Sequence, residues 1–184
     1  MTDGKKIVIN NVNRYALNNE LVVDCQHMSK PYNIDQIMSK DWNVAQGELC
    51  GALERIGGLD KPGALNRAET EFLAAFNSWG EAKAEGLGGW LLNHQDQPET
   101  LERACAALRA IGAHRRAAVL WKVAGLFPAS PPSADPAAYA EVVGDESHDE
   151  FLEEVEAEMD DLERGEDVGE LLHRYVTLHV QDFR

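Results

Sequence analysis

The fold of this protein is decided by residues 101–128, which read LERACAALRAIGAHRRAAVLWKVAGLFP. Apolar side chains recur every three or four residues from Leu101 to Ile111, and again from Ala113 to Phe127, which is the spacing of one face of an α-helix. Gly112 ends the first pattern and Pro128 ends the second, as helix stop signals do. Two helices joined by so short a link must pack antiparallel, so the sequence predicts a helical hairpin here.

The helical periodicity continues in both directions from this hairpin. Upstream it predicts helices over residues 42–56 and 65–79, and downstream over residues 147–163 and 168–179. Near the start of the chain, the short apolar runs at residues 7–9 and 21–23 predict at most a pair of short strands. We therefore predict an all-α fold, a single multi-helix domain with a small irregular or hairpin-like N-terminal element.

The predicted domain spans residues 1–184 and has four parts. They are an irregular element over 1–40, a helical body over 41–128, a stiff proline-rich surface linker over 129–136, and acidic C-terminal helices over 137–184. The C-terminal helices are expected to dock on the body, because an amphipathic helix of this length is marginal alone. Within the body, Pro98 suits the first position of a helix, and Gly88 and Gly89 are expected to turn the backbone tightly before Trp90 packs inward.

The charge of the protein is concentrated in one segment. The formal net charge is −15, and residues 141–170 hold 15 acids and one base, Arg164, a net of −14. The other 154 residues carry 17 acids and 16 bases, which nearly cancel. So acidic a surface argues against binding nucleic acid by neutralising phosphates, and it favours a basic protein partner.

Nine carboxylates follow one another along the predicted helix over residues 147–163. They are Asp149, Glu150, Glu153, Glu154, Glu156, Glu158, Asp160, Asp161 and Glu163. At a rise of about 1.5 Å per residue they supply one charge per ~2.3 Å, against about 1.7 Å for duplex DNA and 3.4 Å for one of its strands. Several pairs, such as Glu150 and Glu154, place like charges one helical turn apart, which destabilises a helix. The alternative is that these acids only keep the protein soluble, as solvated charged faces usually do.

The single basic cluster of the chain is His114-Arg115-Arg116, at the start of the predicted helix over 113–127. Two interpretations remain open: the cluster pairs with carboxylates of the acidic helix, within the chain or across a dimer, or it is solvated. We favour pairing.

The sequence shows few features that are typical of an enzyme. It lacks the motifs of nucleophilic hydrolases, phosphate-binding loops and zinc peptidases. Glu170 and His173 form the one Glu-x-x-His spacing, and a metal would need further ligands from facing helices. Cys25, Cys50 and Cys105 are an odd number without a Cys-x-x-Cys pair, and Cys105 falls on an apolar stripe as core filler. We expect no catalytic residue, no metal and no cofactor.

The start of the chain lacks the apolar run of a signal peptide, and no segment approaches the roughly 18 apolar residues of a membrane span. We therefore expect a cytoplasmic protein that contacts neither membrane nor nucleic acid directly.

Several short motifs between residues 71 and 184 resemble those of a bacterial family of small helical proteins. The resemblance rests on a Gly-Gly-aromatic step leading to Asn, an Ile-Gly-Ala helix end, a Phe-Pro helix end and two aromatic residues near the chain end. These positions are Gly88, Gly89, Trp90, Asn93, Ile111, Gly112, Ala113, Phe127, Pro128, Tyr175 and Phe183. We expect most of them to be structural.

Most members of that family are known only as a domain of unknown function, and its namesake is an acidic DNA-mimic protein. The resemblance implies a dimer whose carboxylates imitate phosphates and occupy the DNA-binding face of a helix-turn-helix regulator. We therefore predict a non-enzymatic protein-binding module with the nine carboxylates as its face and a possible homodimer. The alternatives are an immunity-type or antitoxin partner of a basic nuclease, and an enzyme with a dispersed site.

Overall fold

The computed structural model describes residues 14–17, 20–23, 30–61 and 63–184. The chain divides into two compact units, residues 1–30 and 31–184. In the first unit, strand β1 (Arg14–Leu17) pairs antiparallel with strand β2 (Glu20–Val23). The predicted strand at 21–23 is therefore confirmed as part of a hairpin, while the apolar run at 7–9 lies outside the described residues. The second unit is helical, and the predicted all-α class is correct.

The α-helices of the second unit follow in chain order. They are α1 (Ile34–Met38), α2 (Trp42–Ile56), α3 (Arg67–Asn93), α4 (Thr100–Ala110), α5 (His114–Leu120), α6 (Pro136–Val143), α7 (Asp149–Asp161) and α8 (Val168–Leu178). Short 3-10 helices occupy residues 121–126, 132–134 and 146–148. Helices α4 and α5 form the predicted hairpin, with Gly112 between them at φ 95°.

Local side-chain caps fix where several helices begin. Asn66 starts α3 with a capping box, in which its side chain accepts from the Glu69 N–H at 3.0 Å and Glu69 Oε2 accepts from the Asn66 N–H at 2.9 Å. Asp41 caps α2 and Asp167 caps α8 in the simpler way, by accepting a backbone N–H two or three residues later. These polar residues satisfy N–H groups that a helix start leaves unpaired.

Helix α3 is interrupted at Gly86, two residues before the turn that the sequence predicts at Gly88 and Gly89. Gly86 has φ 76° and ψ 164°, whereas Gly88 and Gly89 lie in the helical turn that follows. A positive φ favours glycine because it has no Cβ. The prediction that Gly88 and Gly89 make the tight turn was therefore wrong, but Trp90 does pack inward and is 1 % exposed.

Helix α3 lies at the centre of the packing and contacts α2, α4, α6, α7 and α8. Its inner side supplies Phe72, Leu73 and Trp90 to the core, where Phe72 meets Phe183 edge to face with ring centroids 6.1 Å apart. Cys105 on α4 is fully buried, which confirms its role as core filler. Helix α7 packs on α3 and α5, and α8 packs on α2 and α3.

The structure corrects the predicted parts at five points. Residues 31–40 belong to the second unit and contain α1, so the N-terminal element ends earlier than residue 40. The proline-rich segment is no free linker, because Pro132 is buried and the Ser133 N–H donates to Glu102 on α4 at 2.9 Å. Helix α6 was not predicted, and Pro98 precedes α4 instead of beginning it. Helix α5 ends at Leu120 and continues as a 3-10 helix.

Candidate functional site

Helix α7 carries the predicted partner-binding carboxylates on the side that faces away from the body. Val155, Met159 and the following Leu162 are buried, so the apolar stripe of this helix is docked. Eight of the nine predicted carboxylates are exposed, and only Glu156 is half-buried. Docking against α3 and α5 therefore orients the other carboxylates toward solvent.

Three of the nine carboxylates are bound within the chain. Glu156 Oε2 accepts from the Leu87 backbone N–H at 3.1 Å, just after the break in α3. Glu163 Oε1 accepts from Lys83 Nζ at 2.6 Å, and Glu158 forms an ion pair with Lys122. Glu156 is therefore a structural acceptor where α3 restarts, and the binding face of nine carboxylates stays a prediction.

Five exposed carboxylates of α7 make neither a hydrogen bond nor an ion pair with any described residue. We call them the acidic face: Asp149, Glu150, Glu153, Glu154 and Asp161. Over the length of α7 they supply one unpaired charge per ~3.6 Å, which is close to the ~3.4 Å phosphate spacing along one DNA strand. Asp160 is also exposed, but it interacts electrostatically with Arg116.

The basic cluster meets the acidic C-terminal segment in an unexpected way. Arg116 is 3 % exposed, and its Nε and Nη2 atoms have no hydrogen-bond partner among the described residues. Burial lowers the pKa of its guanidinium, and the carboxylates of Glu163, Asp160 and Glu166 act in the opposite direction. Arg116 thus carries a buried positive charge close to α7, but its guanidinium forms no ion pair with a carboxylate of this helix, so the expected pairing is not observed for Arg116 among the described residues.

Glu166, an acid outside the nine predicted carboxylates, caps the helix that carries this cluster. Its two carboxylate oxygens accept the backbone N–H groups of Arg115 and Arg116, both at 2.9 Å, at the N-terminus of α5. A carboxylate stabilises a helix start both by these bonds and through the helix dipole. Because about 50 residues separate the partners, no local pattern in the sequence signals this cap.

The contrast between Glu156 and Glu153 gives a matched test of which acids are structural. We expect Glu156→Gln to lower the free energy of unfolding by about 1 kcal/mol, because a hydrogen bond to a charged acceptor is weakened. Glu153→Gln should leave stability unchanged or raise it by a few tenths of a kcal/mol, since it relieves a like-charge pair with Asp149. Urea denaturation of both variants measures this, and an equal loss in both would contradict the division.

The remaining candidate site residues are Glu170 and His173, the one Glu-x-x-His pair of the sequence. Glu170 and His173 on α8 are both exposed, and the His173 ring stacks on Trp42 with centroids 4.7 Å apart. Across the described ranges, no three His, Cys, Asp or Glu side chains come together as a metal-ligand group. The helices described contain none that is both long and apolar enough to cross a membrane.

Six of the eleven family-motif positions are buried. Side chains exposed by no more than 8 % are Trp90, Ile111, Ala113, Phe127, Tyr175 and Phe183. Gly112 adopts the positive φ that ends α4, Asn93 binds Glu85 on the surface, and Pro128 is exposed. The buried motif side chains therefore contribute to the packing of the helices.

A comparison with protein-family models matches residues 63–179 to the DMP19-like protein model. The chain belongs to the DMP19-like protein family. The matched range runs from the turn before α3 through the end of α8, so it includes the acidic face, Arg116 and Glu166. Neither the curated proteins nor the solved structures contain a significant match to the chain.

The family match covers residues 63–179, whereas the folded helical unit begins before this range and ends after it. Helices α1 and α2 precede the matched range, although α2 packs against α3 and α8 inside it. Phe183 follows the matched range and is nonetheless fully buried against Phe72. The folded unit thus extends beyond the family match at both ends.

Proposed function

We propose that this protein is a non-enzymatic, DNA-mimic-like binding module whose acidic face occupies the basic nucleic-acid-binding surface of a regulatory protein. The observation that carries the proposal is the group of five unpaired carboxylates on a docked helix, Asp149, Glu150, Glu153, Glu154 and Asp161. Family membership supports it, because the namesake of the resembled family is a DNA mimic.

The acidic face costs stability within the chain, which favours a role in binding. Like charges one turn apart, as at Asp149 and Glu153 or Glu150 and Glu154, each destabilise a helix by about 0.2–0.5 kcal/mol. Lys83 and Lys122 pair with the neighbouring Glu163 and Glu158, so they leave the charge of the acidic face uncompensated. A partner with a positive surface would offset this repulsion when it binds.

The docking of α7 supports a preformed surface. The buried Val155 and Met159 hold the helix against α3 and α5, and Arg116 lies beneath its C-terminal half. Binding through such a helix does not require a segment to fold first, so less conformational entropy is lost on association. Electrostatic attraction between the two surfaces should also speed the encounter.

Competition with DNA is the experiment that tests the proposal. The protein is immobilised, bound partners are recovered from lysate of its source at low salt, and each purified partner is titrated with duplex DNA. We expect DNA to displace the protein from a DNA-binding regulator, and the affinity between the two proteins to fall steeply with salt, because exposed charges are screened over about 8 Å at physiological ionic strength.

The same experiment separates the alternative functions. A nuclease recovered and inhibited in place of a regulator would favour an immunity-type role. A partner that holds DNA and this protein simultaneously would contradict mimicry.

A further inference from the structure

Helix α7 ends in acidic residues, which is an unfavourable place for them. Its last turn carries Glu158, Asp160 and Asp161 and contains no basic residue, and Glu163 follows shortly after it. The unpaired carbonyl groups at the C-terminus of a helix give this end a partial negative charge, so nearby carboxylates are repelled and nearby cations stabilise it. The C-terminal half of α7 is therefore stabilised by positive charge that other elements supply.

Three cations from neighbouring elements lie beside this half of α7. Lys122 forms an ion pair with Glu158, and Lys83 forms one with Glu163; both pairs lie at the surface. Arg116 is the third cation, and it differs from the two lysines because it is only 3 % exposed. A buried charge is screened by salt much less than an exposed one. Arg116 is thus the cation whose attraction for α7 is expected to persist at physiological salt.

Helix α5 brings Arg116 close to α7, because the two helices pack against each other. The side chain of Arg116 lines one groove together with Met159, Asp160 and Glu163. Its backbone N–H donates to Glu166 Oε2 at 2.9 Å, in the turn between α7 and α8. Acidic residues from the end of α7 and from the turn after it therefore gather around one buried guanidinium.

The electrostatics of Arg116 agree with this geometry. Burial lowers the pKa of its guanidinium, while the carboxylates of Glu163, Asp160, Glu166 and Asp167 all favour the charged form. None of them forms an ion pair with the guanidinium, and its Nε and Nη2 atoms have no hydrogen-bond partner among the described residues. The attraction therefore acts through space on several carboxylates at once, as charges do in a medium of low dielectric constant.

We propose that Arg116 is a positioning residue for the acidic face, whose buried charge holds the C-terminal half of α7 and the turn after it against the body. Because α7 is one continuous helix, the docking of this end also fixes the direction of the carboxylates along the rest of it. Arg116 is too deeply buried to touch a partner itself. The proposal rests on the function proposed above for the acidic face.

Hydrogen exchange of the α7 amides tests the positioning without any partner. Asp160→Asn removes a carboxylate that acts on Arg116, and Asp161→Asn is the matched control, an exposed acid of the same turn. Both substitutions relieve repulsion at the helix end, so both should slow exchange if Arg116 had no role. We expect Asp160→Asn to speed exchange of the amides of residues 157–161 about threefold, and Asp161→Asn to leave it unchanged or slower.

Arg116→Met tests the consequence for binding, because it changes the net charge in the direction that should favour a basic partner. This variant and its control, Arg115→Met, each change the formal net charge from −15 to −16. If net charge alone mattered, both would bind the basic partner slightly more tightly. We expect Arg116→Met to weaken binding about tenfold, as substitutions that act without touching the ligand can do. Arg115→Met should bind at least as tightly as the parent, and Arg116→Lys, which keeps the charge, should retain most of the affinity.

Thermal unfolding separates positioning from a general loss of structure. Replacing a buried ion by an apolar side chain of similar volume is often neutral or stabilising, because the cost of desolvation disappears. Arg116→Met should therefore unfold within a few degrees of the parent, and its α4 amides should exchange as in the parent. If Arg116→Met does not fold, the comparison of Asp160→Asn with Asp161→Asn decides the proposal, since both of these residues are exposed.

Three results would overturn the proposal. They are equal affinities of Arg116→Met and Arg115→Met, equal effects of Asp160→Asn and Asp161→Asn on exchange, and a loss of affinity in Arg116→Lys as large as that in Arg116→Met. A parent protein that binds no basic partner would contradict the function proposed for the acidic face, whereas the exchange measurement tests Arg116 by itself. The two failures are therefore distinguishable.

Discussion

Replacing Glu150, Glu153, Glu154 and Asp161 by their amides is expected to weaken binding to the basic partner about 100-fold. Charges within an interface typically contribute between about 0.5 kcal/mol and a few kcal/mol each, so four screened charges reach about 2–4 kcal/mol together. Each tenfold change in affinity corresponds to about 1.4 kcal/mol. The substitutions keep the shape of the side chains, and the helix remains docked by Val155 and Met159.

The control variant has the same net charge, but its four substitutions lie outside α7. Asp35→Asn, Glu48→Gln, Asp96→Asn and Glu99→Gln also change the formal net charge from −15 to −11, and all four residues are exposed and lie outside α7. We expect this control to lose less than threefold in affinity. Calorimetry or surface plasmon resonance at two salt concentrations measures both variants, and equal losses would show that net charge, and not the acidic face, attracts the partner.

Trp90→Ala is expected to lower the free energy of unfolding by about 3–5 kcal/mol, the usual cost of removing a large aromatic side chain from a core. Trp90 is 1 % exposed and sits in the second half of α3, after the break at Gly86. Its loss leaves a cavity that the surrounding helices can fill only in part. Since typical domains are stable by about 5–15 kcal/mol, a large share of the stability should disappear.

A second tryptophan serves as the comparison for Trp90. Trp121 is half-buried at the start of a 3-10 helix, so Trp121→Ala should cost clearly less. Urea denaturation followed by circular dichroism gives both values. A cost for Trp121→Ala as large as that for Trp90→Ala would mean that the core is not centred on α3 as described.

The sequence was sufficient for the elements whose causes are local. The apolar periodicity of α2, α4, α7 and α8 follows from side chains three and four residues apart, and the structure confirms these helices within a few residues. The charge of α7 and its docked apolar stripe follow from the same pattern. A resemblance carried by short motifs was enough to point to the family.

Features that depend on distant residues were decided only by the tertiary structure. Glu156 looks like its neighbours in sequence, yet it alone reaches the Leu87 N–H, 69 positions away. In the sequence Glu166 is one of many acids. Only folding brings its carboxylate to the start of α5, where it accepts the backbone N–H groups of Arg115 and Arg116. The break of α3 falls at Gly86, and there Glu156 accepts the backbone N–H of the next residue, Leu87.

Local periodicity therefore predicted most of the longer helices and showed which of them is acidic. Only the packing of those helices decided which carboxylates are bound within the described part of the chain and which are not, because a carboxylate is neutralised by what lies near it in space.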